Sequence, residues 1–248
     1  MALSHELGSA SHDWAILGEG NASGRFTDTS FLVKASGAQL KTLTAEQLVE
    51  VRFDPLVEAV ASQVELPDTA SRDLLMEACV GEASKTPSVE TLFHADLLSL
   101  PGIHFIGHTH VTSINSVLCS RQGWELIQRG GRIFPDEVVV CGVAPCTVPY
   151  ADPGLALARA IHSEVVIYQT RYNCVPKTIY LQNHGFVALG ATMREVISIT
   201  EMADKAARVL LGAMACGEPV FLRDSDVARI ASRPDEHHRQ RVLGLTSG

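Results

Sequence analysis

Ile103-His104-Phe105-Ile106-Gly107-His108-Thr109-His110-Val111 is the stretch around which the rest of the chain is organised. Apolar residues precede the His108-x-His110 pair and Val111 follows it, so the segment reads as a short strand. Strand side chains alternate between faces, and residues i and i+2 point the same way. His108 and His110 are therefore expected to project together, close enough to share one metal ion. Upstream, Ser88 reads as a helix N-cap, which places Glu90 in the first turn and His94 one turn later on the same face. A third histidine, His184 in Gln182-Asn183-His184-Gly185, follows another apolar run. Three imidazoles at strand ends suit a borderline divalent ion, Zn2+ first, with Mn2+ or Co2+ as alternatives.

Three protein ligands leave one coordination position open, which is the catalytic arrangement; structural zinc usually takes four ligands, rich in cysteine. The six cysteines, Cys79, Cys119, Cys141, Cys146, Cys174 and Cys216, show no C-x-x-C spacing and sit mostly in apolar runs. They read as reduced core thiols. A metal with an open position polarises a carbonyl and stabilises an enediolate. Glu90, beside it, reads as a fourth ligand at rest and a general acid/base once substrate displaces it. His94 reads either as an orienting partner of Glu90 or a ligand, or as a core residue.

A chain of 248 residues suits one large domain or two small ones, and the absence of a linker-like stretch favours a single domain over 1–248. Residues 1–13 are poorly patterned and are expected to be loose, and 223–248 form a charged tail. Apolar residues make up 46% of the chain, enough for a sizeable core. A net charge of −8 without any Lys/Arg cluster argues against a nucleic-acid partner. No basic segment followed by an apolar one opens the chain, and no apolar run reaches the ~20 residues that span a bilayer. The expectation is a cytoplasmic protein, off the membrane, acting on a small molecule.

Along the chain, Gly/Ser turns at 18–24 and 34–37 flank an apolar strand from Ser30 to Val33. Backbone N–H groups in such turns can face an anion, although a plain hairpin would look the same. Thr44-Ala45-Glu46-Gln47 is a capping box opening a short helix. Helices are expected from Pro67-Asp68 to about Val80, after Ser88, and from Thr112 to Arg129. Val138 to Cys141 reads as a strand. Asp152 at N-cap and Pro153 at N1 open a helix with Leu155, Ala158, Ile161, Val165 and Tyr168 on its buried stripe. Thr178 to Leu181 reads as a strand that Phe186 to Leu189 continue. Thr192-x-x-Glu195 caps a long helix that Gly217 ends. Interleaved helices and strands indicate an α/β class.

Taken together, these residues resemble the class II aldolase/adducin family, which includes fuculose- and rhamnulose-phosphate aldolases and ribulose-phosphate 4-epimerase. Gly20-Asn21-Ala22-Ser23 is similar to its G-N-x-S loop, and Lys34-Ala35-Ser36-Gly37 to its K-x-S-G loop. Pro87-Ser88-Val89-Glu90, His108-Thr109-His110 and Asn183-His184-Gly185 match P-S-x-E, H-x-H and N-H-G, in order over about residues 14 to 222. The resemblance implies a three-layer α/β/α fold around a mostly antiparallel central sheet. It also implies a C4 homotetramer with active sites between subunits, and a role in carbohydrate metabolism. By match, His108, His110 and His184 hold the metal, Glu90 is the acid/base, and Asn21, Ser36, Gly37 and Ser88 line the anion pocket.

Glutamate at the position of Glu90, where the epimerase carries aspartate, points to carbon–carbon cleavage of a hydroxylated keto or sugar-derived substrate. Decarboxylation of a keto or hydroxy acid, 4-epimerisation and an adducin-like scaffold are the alternatives. Val89 stands where phosphate-binding members often have a second serine. The family's C-terminal tyrosine acid has no match, since Tyr180 is the last tyrosine. His237 or His238, reaching a neighbouring subunit's site from the tail, is the replacement expected for it.

Overall fold

Strands that are apolar on both faces need helices on both sides, and the computed structural model has that architecture. It describes residues 1–62, 64, 67–81 and 85–235. Seven strands form one sheet: β1 (Asn21–Arg25), β2 (Ser30–Lys34), β3 (Leu48–Arg52), β4 (Phe105–Thr109), β5 (Cys146–Val148), β6 (Thr178–Leu181) and β7 (Gly185–Gly190). Their order is β3-β2-β1-β4-β7-β6-β5. Neighbours are antiparallel throughout except β5 and β6, which are parallel. Period-two alternation splits β7 cleanly. Val187 and Leu189 enter the core on one face, Phe186 and Ala188 the core on the other. All six residues of β7 are buried, as a central strand covered on both sides requires.

The first face is covered by α2 (Asp54–Ala61), α3 (Asp68–Ala78), α4 (Thr91–Leu98) and α8 (Leu155–Tyr172). The expected stripe of α8 is buried, from Leu155 to Tyr168. The second face carries α1 (Ala2–Leu7), α5 (Thr112–Leu118), α6 (Arg121–Gln128) and the long α9 (Met193–Cys216). Thr192 caps α9 by accepting from the Glu195 amide, and Gly217 follows its last residue. Register fixes the working end of the sheet: Asn21 lies opposite His108, and His108 opposite Val187. No described helix is long and apolar enough to cross a membrane.

Several expectations are corrected. Residues 1–13 are not loose, because Leu3 and Leu7 of α1 are buried against the second face. A side chain at Gly107 would come within 2.7 Å of the Leu7 Cδ1, so glycine there lets α1 lie against the ligand strand. Val138 to Cys141 form α7 (Pro135–Cys141), not a strand. Proline at N1, acidic residues in the first turn and buried Arg132 at the last carbonyls outweigh β propensity. Arg132 donates to Cys141 O at 2.7 Å, to Gly142 O at 2.8 Å and to Glu137 at 3.0 Å.

The helix expected over Thr112 to Arg129 breaks at Ser120, whose Oγ accepts from the Gly123 amide and so starts α6 afresh. β7 does not continue β6 but pairs back on it, with Asn183 in the left-handed region at φ 53°. Gly154, not Asp152, caps α8. Thr44 and Gln47 do make the capping box, around a single 3-10 turn. Of the cysteines, only Cys79, Cys141 and Cys146 are buried, and all six are free. The tail is helical at first: α10 (Asp224–Ala231) packs Val227 and Ile230 on Val138 and Val139 of α7. His237 and His238 lie outside the described residues.

Leu7→Ala tests the α1 correction. Removing a fully buried leucine costs about 2–5 kcal/mol of unfolding free energy. Urea denaturation reads this, and a cost within about 0.5 kcal/mol of zero, as for a surface position, would return α1 to the loose segment first expected.

Candidate metal centre

His108, at 0% exposure, leaves β4 on the face covered by α4, and His110 follows two residues later on the same side. The turn between β6 and β7 delivers His184. Gly185 makes this approach possible, since a Cβ there would lie 2.7 Å from Thr109 O and 2.8 Å from His110 Cδ2. The three rings stand edge to face with centroids 5.0, 5.1 and 5.2 Å apart, and one nitrogen of each lies within 4.8 Å of the others.

The outer nitrogens decide which atoms face inward. His108 Nδ1 lies 3.1 Å from Phe186 O, and a carbonyl only accepts, so Nδ1 carries the hydrogen. His110 Nδ1 lies 2.7 Å from Glu19 Oε2 and by the same logic donates to it. Both Nε2 atoms are then bare acceptors, and they face each other at 3.2 Å. Two lone pairs at that distance call for a positive charge between them. A divalent cation fits the donor set: borderline imidazole nitrogens with a carboxylate alongside.

Glu90 provides that carboxylate, with Oε1 3.1 Å from His184 Nε2 and Oε2 3.5 Å from His108 Nε2. It occupies the N-cap of α4 rather than the first turn. Ser88 lies two residues earlier and its Oγ accepts from the Glu90 amide. Burial alone would raise the Glu90 pKa; the facing His108 and His184 imidazoles and the Asn21 amide outweigh it and hold the carboxyl well below the usual range. Glu90 is therefore a carboxylate at neutral pH.

His94, 0% exposed, orients it through a chain whose hydrogens are fixed by chemistry. Asn21 Nδ2 donates to Glu90 Oε2 at 2.6 Å, so Asn21 Oδ1 is turned to His94 Nε2, which donates to it. His94 Nδ1 then accepts from Ser23 Oγ at 2.6 Å. Asn21, expected in the anion pocket, is thus 2% exposed with both ends of its amide engaged. The other pocket residues do come together. Ala35 bridges Pro87 and the Ser36 amide donates to Thr86 O at 2.9 Å, so Ser36, Gly37 and Ser88 lie on adjoining loops. Buried Lys34 ties the two glycine loops by donating to Gly18 O at 2.8 Å and Ala38 O at 2.7 Å. Burial lowers its pKa, against the attraction of Glu90.

Sequence reasoning missed Glu19, Ser23 and the role of Lys34. Ser23 was findable, since it follows Asn21 by two positions on one strand and must share its face. Glu19 gave no signal, because its partner lies on a different segment.

The family model for the class II aldolase and adducin N-terminal domain matches residues 2–211. A curated relative, the Bacillus subtilis (strain 168) protein named as an uncharacterized oxidoreductase, YuxG, is 28% identical over 200 residues, covering 76% of this chain. The chain spans about a quarter of that relative's length, 26%. Among solved structures, the N-terminal class II aldolase domain of a conserved Thermoplasma acidophilum protein superposes with a TM-score of 0.67 at 25% identity, covering 85% of this chain and 91% of the other. Klebsiella pneumoniae YgbL, provisionally described as an aldolase, epimerase or decarboxylase, superposes with a TM-score of 0.68 at 22% identity, covering 92% and 94%.

Acid should unfold the metal-free protein early. Burial, above all, holds His94 near a pKa of about 3 and His108 near about 4, against 6.5 for a free imidazole. Below about pH 6.5 the unfolded chain binds protons that the fold refuses, so stability falls as pH drops toward 4. Each imidazole contributes roughly 1.4 kcal/mol per pH unit at full slope. Urea denaturation at about pH 7, 6 and 5 reads the decline. Equal stability at all three would show that these imidazoles take up protons in the fold as readily as in the unfolded chain.

Proposed function

The chain belongs to the class II aldolase and adducin family, and on that premise we propose that it is a divalent-metal-dependent lyase that cleaves a carbon–carbon bond of a hydroxylated keto or sugar-derived substrate. The observation that carries the reading is the convergence of three imidazole nitrogens beside an ionised, oriented glutamate. His108, His110 and His184 would hold the ion, zinc first among the candidates. When bound, it supplies Lewis-acid polarisation of a substrate carbonyl.

The chain's own groups supply the proton handling. In retro-aldol cleavage a hydroxyl proton has to leave as the carbon–carbon bond breaks, and Glu90, charged and within reach of the centre, accepts it at Oε1 or Oε2. Asn21 keeps one oxygen in place by donating to it, and His94 keeps Asn21 in place. The adjoining loops of Ser36, Gly37 and Ser88 are open at Gly37, where a Cβ would meet nothing within 4 Å. They support a phosphate or another anionic end on the substrate. A homotetramer with its sites between subunits, in the cytoplasm, belongs to the same proposal.

Elemental analysis of protein purified without added metal tests it first. About one zinc, manganese or cobalt per chain is expected, and none in His110→Ala. Sugar phosphates and keto acids are then screened for cleavage, where Glu90→Gln should lose about 10²–10⁴-fold in rate. Protein that neither carries nor takes up metal refutes the reading, while a sugar phosphate returned as its epimer assigns the centre to epimerisation instead.

A further inference from the structure

We infer that Glu19 is a positioning residue of the metal centre: its carboxylate holds His110 in the tautomer whose Nε2 faces His108 and His184. The carboxylate is held at both oxygens. Oε2 takes the hydrogen of His110 Nδ1 at 2.7 Å, and Oε1 accepts from the Ile16 amide at 2.9 Å. The Glu19 amide in turn donates to Ile16 O at 3.1 Å, closing the loop on itself. Leu17 stands inside that turn with φ 51° and 76% of its surface exposed. A branched residue in the left-handed region is unfavourable, and packing does not compensate it here, so the tight turn is kept by the bonds it makes possible.

The same segment grips the backbone of the residue it orients. The His110 amide donates to Trp14 O at 2.8 Å and the Thr112 amide to Asp13 O at 3.1 Å. Trp14, 2% exposed, is anchored in turn through Nε1 to Asp204 Oδ2 at 3.2 Å. Main chain and side chain of His110 are therefore both set by residues 13–19. The three imidazoles differ in this respect. His108 is oriented by a strand carbonyl, and His184 Nδ1 is buried without a hydrogen-bond partner among the described residues. Among the described residues, His110 alone of the three has a carboxylate at its outward nitrogen, which raises the basicity of the nitrogen opposite. A solvated ion pair that did no more than decorate the surface would need no such loop.

Glu19 serves a cation only if the three imidazoles hold one, as proposed above, so the test has two readouts. The first is the ring-nitrogen NMR of metal-free protein, which distinguishes the two imidazole tautomers. Wild type should show His110 with its hydrogen on Nδ1. Glu19→Ala should show a mixture at His110 and an unchanged His108, and Glu19→Gln, which keeps an acceptor, should fall between. The second is zinc affinity by chelator competition, expected to drop about 10–100-fold in Glu19→Ala. Ile16→Ala in the same loop should leave both readouts unchanged.

A wild-type tautomer and wild-type zinc affinity in Glu19→Ala would overturn the role, and if that variant fails to fold, Glu19→Gln decides by the same criteria. Wild-type protein that binds no zinc would overturn the metal reading, while the tautomer result would still judge Glu19.

Discussion

Two imidazole nitrogens without hydrogens, His108 Nε2 and His110 Nε2, face each other across 3.2 Å. Such a pair repels unless a positive charge lies between. The geometry persists because each ring is held from behind, one by the Phe186 carbonyl and the other by Glu19. Those two acceptors fix the hydrogens outward and leave the lone pairs inward. Much of the surrounding structure follows from keeping them so. β7 must present Phe186 O beside β4, residue 185 must lack a side chain, and residues 13–19 must close over His110.

A second constraint governs Glu90. A carboxylate 9% exposed is costly to desolvate, so its hydrogen bonds have to be strong and fixed. The chain from Ser23 through His94 and Asn21 runs in one direction, every member donating toward the glutamate. Reversing any link would set two donors or two acceptors against each other. A neutral His94 suits this, accepting on one side and donating on the other, and its depressed pKa keeps it neutral. Conformational rigidity at Glu90 is thus obtained from a buried polar network whose members are all satisfied.

The legible parts of the sequence were those governed by local periodicity. An i, i+2 pair on a strand put His108 and His110 together, and an i, i+3 and i+4 stripe identified the buried face of α8. Apolar runs without a period were misread. Val138 to Cys141 are as apolar as a strand, and only Pro135 with its acidic neighbours marks them as a helix. Residues 1–13 looked featureless because two leucines, Leu3 and Leu7, are enough to dock a single short helix. Asn21 was placed in the pocket by resemblance, and the fold turned its amide inward, toward His94. Glu19 was beyond reach, since a loop carboxylate declares its partner only after the chain has folded.

The three imidazoles are not equivalent, and the difference bears on how the centre works. With no acceptor at Nδ1 among the described residues, His184 places its hydrogen on Nε2, where Glu90 Oε1 receives it at 3.1 Å. An imidazole nitrogen cannot donate a hydrogen and ligate a cation at once. A cation held at His184 Nε2 would take the place of that hydrogen and of the bond it makes to Glu90. His108 and His110 need no such change, because their hydrogens already point outward. The two oxygens of Glu90 are thus held separately, Oε1 by His184 and Oε2 by Asn21, and only the first of these bonds involves a ring of the cluster.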